Sequence, residues 1–349
     1  VPLVIVGIDE AGYGPLLGPL VVARSTFRVR DWEPSKPAPD LWKLLKPACC
    51  RKPSDKARRI PFDDSKKLKR PNDSGDPLTH LLRGVLAMLA LGDGGRRPTN
   101  DLEFLEAVGV MVEPQPWYDG DAIALPGFEA ETRGAGVGID ANSLASAMAE
   151  AGVELLDLRV IAIGERTFNH IIKREGSKAA TTGMAIGEHV RHVWDKWGAE
   201  EVDGGPRIVC DRQGGRADYT APIREWLPDA ATAIDAGTGK FMVIEQTDTR
   251  SRYRCAAPCP KTGVNRQATL SFEVDSESAH LPIALASMAA KLTRELLMAR
   301  FNRYWAARAA AVGVELKPTA GYYHDARRWL DDARPVVTKE ERQVLVRIA

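Results

Sequence analysis

Long apolar runs are missing from this chain. The two longest, around Gly84–Gly92 and Leu281–Ala290, reach about half of the roughly 20 residues needed to cross a bilayer. No sign of charge dominates either: 48 Lys and Arg face 47 Asp and Glu, so any polyanionic partner must be read from local charge. Cysteine is scarce and odd in number, five in 349 residues with Cys49 and Cys50 adjacent, which suits disulfide pairing poorly and predicts a reducing, cytoplasmic setting. The opening VPLVIVGIDE has no basic n-region and meets two carboxylates at once, so neither a signal peptide nor a membrane anchor is expected. What is present is globular material, with 44% hydrophobic and 27% charged residues and ordinary glycine and proline content.

Periodicity predicts alternating strands and helices. Pro2–Ile8 is a β-branched, continuously apolar run, the pattern of a strand buried on both faces, and it runs straight into Asp9 and Glu10. Leu20–Val29 and Glu154–Ile163 read as strands, as does Arg207–Cys210, which also ends in an acid, Asp211. Ala231–Ile234, Met242–Glu245 and Thr269–Val274 add short strands. Leu41–Leu45, Leu78–Leu91, Gly183–Trp197 and Ala221–Trp226 read as helices, and Leu281–Ala311 is the longest. Residues 92–140, rich in Gly, Pro and acids, read as an elaborated stretch with short strands or turns. No internal repeat is evident. The alternation predicts an α/β domain with a mixed sheet flanked by helices.

Two strands that end in acids bring carboxylates to one end of a sheet if the strands are neighbours. Carboxylates without His or Cys companions suit hard cations such as Mg²⁺ or Mn²⁺. The plain alternative is that an acid after a strand begins a turn.

More specific are the residues around these acids. GIDEAGYGPLLGP (Gly7–Pro19), DSKKL (Asp64–Leu68), TFNHIIKREGSKAA (Thr167–Ala180), IVCD (Ile208–Asp211), ESAHLPIALASMAAK (Glu277–Lys291) and PTAGYYHDARRWL (Pro318–Leu330) follow one another along the chain. In that order they resemble the motif blocks of the type 2 ribonucleases H, the ribonuclease HII and HIII families. The resemblance spans roughly 1–30, 60–70, 155–215 and 270–330 and is weak over 71–150. It implies a single ribonuclease H-like domain over residues 1–349, with 71–150 inserted and 331–349 as a C-terminal extension.

It also implies an acid set of Asp9, Glu10, Asp211 and Glu277, holding Mg²⁺ or Mn²⁺ in a two-metal site. Glu277 ranks above Asp275 as the fourth acid, because its distance to Ala286-Ser287 fits an HIII-like pattern without a gap. Two metals about 4 Å apart suit phosphodiester hydrolysis. The implied activity is endonucleolytic cleavage of the RNA strand of RNA–DNA hybrids, leaving 5′-phosphate and 3′-hydroxyl ends. A nuclease of the same fold acting on another structured nucleic acid, or a non-catalytic hybrid-binding protein, are the alternatives. An RNA–DNA hybrid is the expected partner, with no membrane and no obligate protein partner.

For substrate contact the resemblance points to the turn Gly12, Tyr13 and Gly14, where Tyr13 stands in place of the family's usual basic residue, and to Tyr322 in the Gly-Tyr block. Between Arg51 and Arg70, nine Lys and Arg meet three Asp, a local excess of six positive charges; within it Lys66 and Lys67 are candidates for phosphate contacts. Arg250, Arg252, Arg254, Lys261 and Arg266 form a second basic stretch. His280 and His324 sit in motif blocks and serve either substrate or structure. Cys255-x₃-Cys259 lacks the paired spacing of a zinc site, and AGTGKF (Ala236–Phe241) lacks the full phosphate-loop spacing.

Overall fold

The computed structural model describes residues 1–71, 77–92, 94–126, 133–199 and 204–348. Its strands are β1 (Leu3–Ala11), β2 (Leu20–Val29), β3 (Cys49–Cys50), β4 (Ile60–Pro61), β5 (Val153–Ile163), β6 (Arg207–Asp211), β7 (Lys240–Gln246), β8 (Arg250–Pro258) and β9 (Asn265–Glu273). Seven form one mixed sheet in the order β5-β2-β1-β6-β9-β8-β7, while β3 and β4 pair separately. β1–β6 and β6–β9 are parallel; the other neighbours in the large sheet are antiparallel.

β1 is central because it is apolar on both faces. Val4, Val6 and Ile8 join Phe168, Ile186 and Trp194 in one core, under the helices Glu165–Glu175 and Ala179–Trp197. Leu3, Ile5 and Ala11 point the other way, into the core shared with the helix Leu281–Ala310. Period-2 alternation therefore assigns Asp9 to the long-helix face. That helix presses directly on β1. A Cβ at Gly7 would stand 2.3 Å from the backbone nitrogen of Ile283, and Ser25 of β2 donates to the carbonyl of Pro282 at 2.6 Å. Only glycine admits this approach, which fixes where the helix begins relative to the acids.

Residues 79–92, 94–126 and 133–150 pack on the same side, around the long helix. Arg300, fully buried on that helix, donates to Asp101 (2.7 Å) and to the carbonyls of Tyr118 (2.7 Å) and Gly120 (2.6 Å). A buried guanidinium needs this many partners, since burying it unpaired would cost several kcal/mol.

Three expectations are corrected. Ala231–Ile234 is helical, within Pro228–Asp235: Pro228 in the first turn with Asp229 beside it favours a helix start, and a four-residue stretch cannot distinguish the two states. β8 lies inside the basic stretch and was not expected as a strand; every second residue from Arg250 to Arg254 is arginine, which hides the alternation. In residues 92–140 the described regular elements are helical, Asp101–Ala107, a 3₁₀ turn at Pro116–Tyr118 and the start of Arg133–Glu150, apart from one isolated bridge between Asn100 and Ala124. Asn100 caps the first of these by accepting from the amide of Glu103. Among the described residues no helix is long and apolar enough to cross a membrane.

Candidate metal centre

β1 and β6 run parallel with Ile8 beside Cys210, so Asp9 and Asp211 follow at adjacent strand ends. Cys210 joins the same core as Ile8, and so Asp211, one residue on, turns to the face that carries Asp9. β9 is parallel to β6 with Glu273 beside Asp211; the short helix Ser276–Ala279 then returns the chain over the strand ends. Its second residue is Glu277. Asp9, Asp211 and Glu277 each offer an oxygen atom within 4.8 Å of the others'. Carboxyl ends of parallel strands are where open α/β sheets commonly place ligands.

The electrostatics are those of acids crowded out of water. Burial raises the carboxyl of Asp9 well above its ordinary value, and Glu10, Asp211 and Glu277 push in the same direction, against a hydrogen bond with Ser287. Burial, then Asp211, raises Glu10 to about 7, with Lys66 opposing. Glu10 thus belongs to the same field. Burial likewise raises Asp211, whose Oδ1 accepts from the Ser276 hydroxyl at 2.8 Å. Burial raises Glu277, helped by Asp211 and by a fifth acid, Asp64. An all-oxygen set of mutually repelling, desolvated carboxylates fits a hard divalent cation, which removes the repulsion.

Asp275 is not in the close group. It stands in the left-handed region at φ 51° ahead of the short helix. Lys66 lies in the field of Glu10, Asp211 and Glu277, while Lys67 pairs with Asp63 at 3.3 Å and is largely exposed. Asp64, just before them, caps the helix Ser65–Leu68 by accepting from the Lys66 amide (2.9 Å).

The turn after the acids is held from outside. Gly12 adopts φ 88°, and a Cβ there would meet the Arg294 side chain at 2.5 Å. The buried Arg347 donates to the carbonyls of Gly12 (2.6 Å), Tyr13 (3.0 Å) and Gly18 (3.3 Å) and stacks on Phe168. The backbone amides of Leu16 and Leu17 donate to Gly321. The Gly-Tyr block and the C-terminal segment therefore both brace this turn. Tyr13 is 40% exposed with Lys178 Nζ 5.2 Å from its ring centre, whereas Gly14 has open space where a side chain would go. Tyr322 is 47% exposed, its ring flanked by Lys291 and Arg294. Lys291, whose ammonium pairs with Glu295 at 2.7 Å, lies one helical turn beyond Ser287, which contacts Asp9, so Tyr322 sits over the stretch of the long helix that follows the acid cluster.

Ser276, Ser287, Asp64 and Arg347 were not singled out by sequence reasoning. The first three stand in or beside motif blocks quoted above, but a serine or a capping acid carries no signal of its own. Arg347 is distant in sequence from everything it holds.

Comparison with solved structures finds similar chains. The PCNA:RNase HII complex from Archaeoglobus fulgidus matches at 13% identity and a TM-score of 0.37, covering 99% of this chain and 94% of that one. Bst-RNase HIII in complex with Mn²⁺ matches at 15% and 0.37, covering 99% and 65%, so this chain spans about two thirds of its length. The ribonuclease H2 from Pyrococcus horikoshii OT3 matches at 14% and 0.33, covering 98% and 97%. No family model and no curated protein matches the chain.

Proposed function

We propose that the chain is a cytoplasmic, divalent-cation-dependent endonuclease of the ribonuclease H-like type, a single domain that hydrolyses the RNA strand of RNA–DNA hybrids to 5′-phosphate and 3′-hydroxyl ends. The observation that carries this reading is the convergence of Asp9, Asp211 and Glu277 at the carboxyl ends of adjoining strands. The ordered motif blocks in the sequence support the same class.

Asp9, Asp211 and Glu277, with Glu10 beside them, are the residues that would hold Mg²⁺ or Mn²⁺. When bound, the cations supply Lewis acidity toward the phosphate and offset its charge. Ser276 orients the carboxylate of Asp211, and Ser287 that of Asp9. Lys66 presents a compact positive charge to a phosphate entering the cluster; Lys67, paired with Asp63, contributes less. The turn Gly12–Gly14, braced by Arg347, meets the sugar-phosphate backbone, and the exposed ring of Tyr322 supplies a stacking face at its border.

The test is cleavage of end-labelled RNA–DNA hybrid, duplex DNA with one embedded ribonucleotide, double-stranded RNA and double-stranded DNA, with and without Mg²⁺. Cation-dependent cutting of the hybrid's RNA strand supports the proposal. Cutting confined to double-stranded DNA or RNA assigns the site to another nucleic acid, and tight hybrid binding without cutting makes the chain a binder.

A further inference from the structure

A lysine from a distant part of the chain lies against the exposed ring of the turn that follows Asp9 and Glu10. Lys178, just before the helix Ala179–Trp197, places its ammonium 5.2 Å from the centre of the Tyr13 ring and 6.0 Å from that of Phe168. Other lysines around the acids are occupied: Lys66 lies in the field of Glu10, Asp211 and Glu277, Lys67 pairs with Asp63, and Lys291 pairs with Glu295. Among the described residues no acid pairs with Lys178; burial and the nearby Arg347 both hold its ammonium below the ordinary lysine value. Glu165, behind the turn, is fully buried and accepts from the Gly18 amide (3.1 Å) and the Tyr118 hydroxyl (2.8 Å). A half-buried ammonium without an anion is destabilised, and an arriving anion relieves it.

The turn itself has a donor side. Arg347, buried on the inner side, donates to the carbonyls of Gly12 and Tyr13. Among the described residues no peptide is cis, so the amides that follow those carbonyls, of Tyr13 and Gly14, point the opposite way, outward. Tyr13 is four residues beyond Asp9, so the two backbones stand at most about 14 Å apart. That is the axial rise of about four nucleotides on one strand.

We infer that Lys178 binds a backbone phosphate of the nucleic acid near the cleavage position, with the Tyr13 ring holding its ammonium in place. The inference deepens the proposed nuclease function and rests on it. An ammonium on a flexible stem meets a single phosphate as a compact point charge. A ring face against it restrains the stem and leaves the charge available, which a carboxylate partner would neutralise. Tyr13 is thereby a positioning residue for Lys178.

The experiment measures binding of a fluorescently labelled RNA–DNA hybrid in Ca²⁺ as a function of salt, for the wild type, Lys178→Met, Lys178→Gln and Lys178→Arg, with melting temperatures as the folding control. The methionine variant is expected to bind about fivefold more weakly and to flatten the slope of log affinity against log salt by about 0.9. Lys178→Gln gives the same reading if the methionine variant does not fold, and Lys178→Arg, which keeps the charge, should restore the slope. Hybrids carrying one neutral methylphosphonate at a time, within about six nucleotides of the cleavage position, should include one that weakens the wild type and leaves Lys178→Met unaffected. Tyr13→Leu should weaken the wild type more than it weakens Lys178→Met, whereas equal losses in the two backgrounds overturn the ring's part. Folded Lys178→Met or Lys178→Gln with wild-type affinity and salt slope overturns the phosphate contact alone. Absence of hybrid binding by the wild type overturns the nuclease reading and the contact with it.

Discussion

Removing the charge of Glu10 should stabilise the cation-free protein, against the usual direction of a substitution at a buried polar site. Its carboxyl is held at about 7, above the ordinary 4.5, by burial and by Asp211. The folded chain therefore keeps this proton to a higher pH than the unfolded chain does. The associated stability is complete below about 4.5 and is lost as pH rises through 7. The difference corresponds to about 3 kcal/mol at pH 8. Spread over the unfolding entropy of 349 residues, it is a shift in melting temperature of roughly 4 °C. His189 acts oppositely in part of the same window: burial lowers its imidazole to about 3, so its contribution grows as pH rises toward 6.5. The readout is accordingly the difference between wild type and Glu10→Gln, in which His189 cancels. In EDTA, scanning calorimetry should find Glu10→Gln more stable at pH 8 and equal to wild type near pH 4.5. Saturating Mg²⁺ should narrow or invert the gap at pH 8, because only the wild type keeps the full ligand set. A Glu10→Gln protein less stable than wild type at pH 8 in EDTA would refute the crowded-acid picture.

Glu277→Gln should abolish hybrid cleavage while the protein stays folded, whereas Asp275→Asn should cost far less; single-turnover assays that rank them in reverse would move the fourth ligand to Asp275. Lys66→Ala should lower the salt slope of hybrid binding by about one counterion, with a smaller effect for Lys67→Ala because Lys67 is paired with Asp63. Equal slopes for Lys66→Ala and wild type would return Lys66 to the solvated surface. Arg300→Met leaves Asp101 buried without its partner and should destabilise the fold by about 3–5 kcal/mol in urea titration; a loss under about 1 kcal/mol would mean the pair is not buried in solution.

The parts of the site legible in the sequence share a physical cause. Asp9 and Asp211 each end a short apolar strand, and an acid at the end of a buried strand interrupts the composition abruptly enough to be noticed. The pairing of those strands is encoded in which residues face which core, and the sequence alone does not display that. Ser276 and Ser287 matter through single hydrogen bonds, which leave no periodic trace. β8 escaped because its open face carries arginines rather than the mixed polar residues that make alternation visible. The helix Pro228–Asp235 escaped because the four residues Ala231–Ile234 are too few to show a period, and Pro228 was the better guide. Arg347 acts across more than 300 residues of chain, on the turn after the acids.

The central claim is that Asp9, Asp211 and Glu277 form a cation-dependent phosphodiester-cleaving centre. Its most direct test is product analysis of an end-labelled RNA–DNA hybrid incubated in Mg²⁺ with the wild type and with Asp211→Asn. RNA fragments with 5′-phosphate and 3′-hydroxyl ends are expected from the wild type, none after EDTA, and none from Asp211→Asn. Undiminished cleavage by Asp211→Asn, or products ending in 2′,3′-cyclic phosphate without any need for a divalent cation, would contradict it.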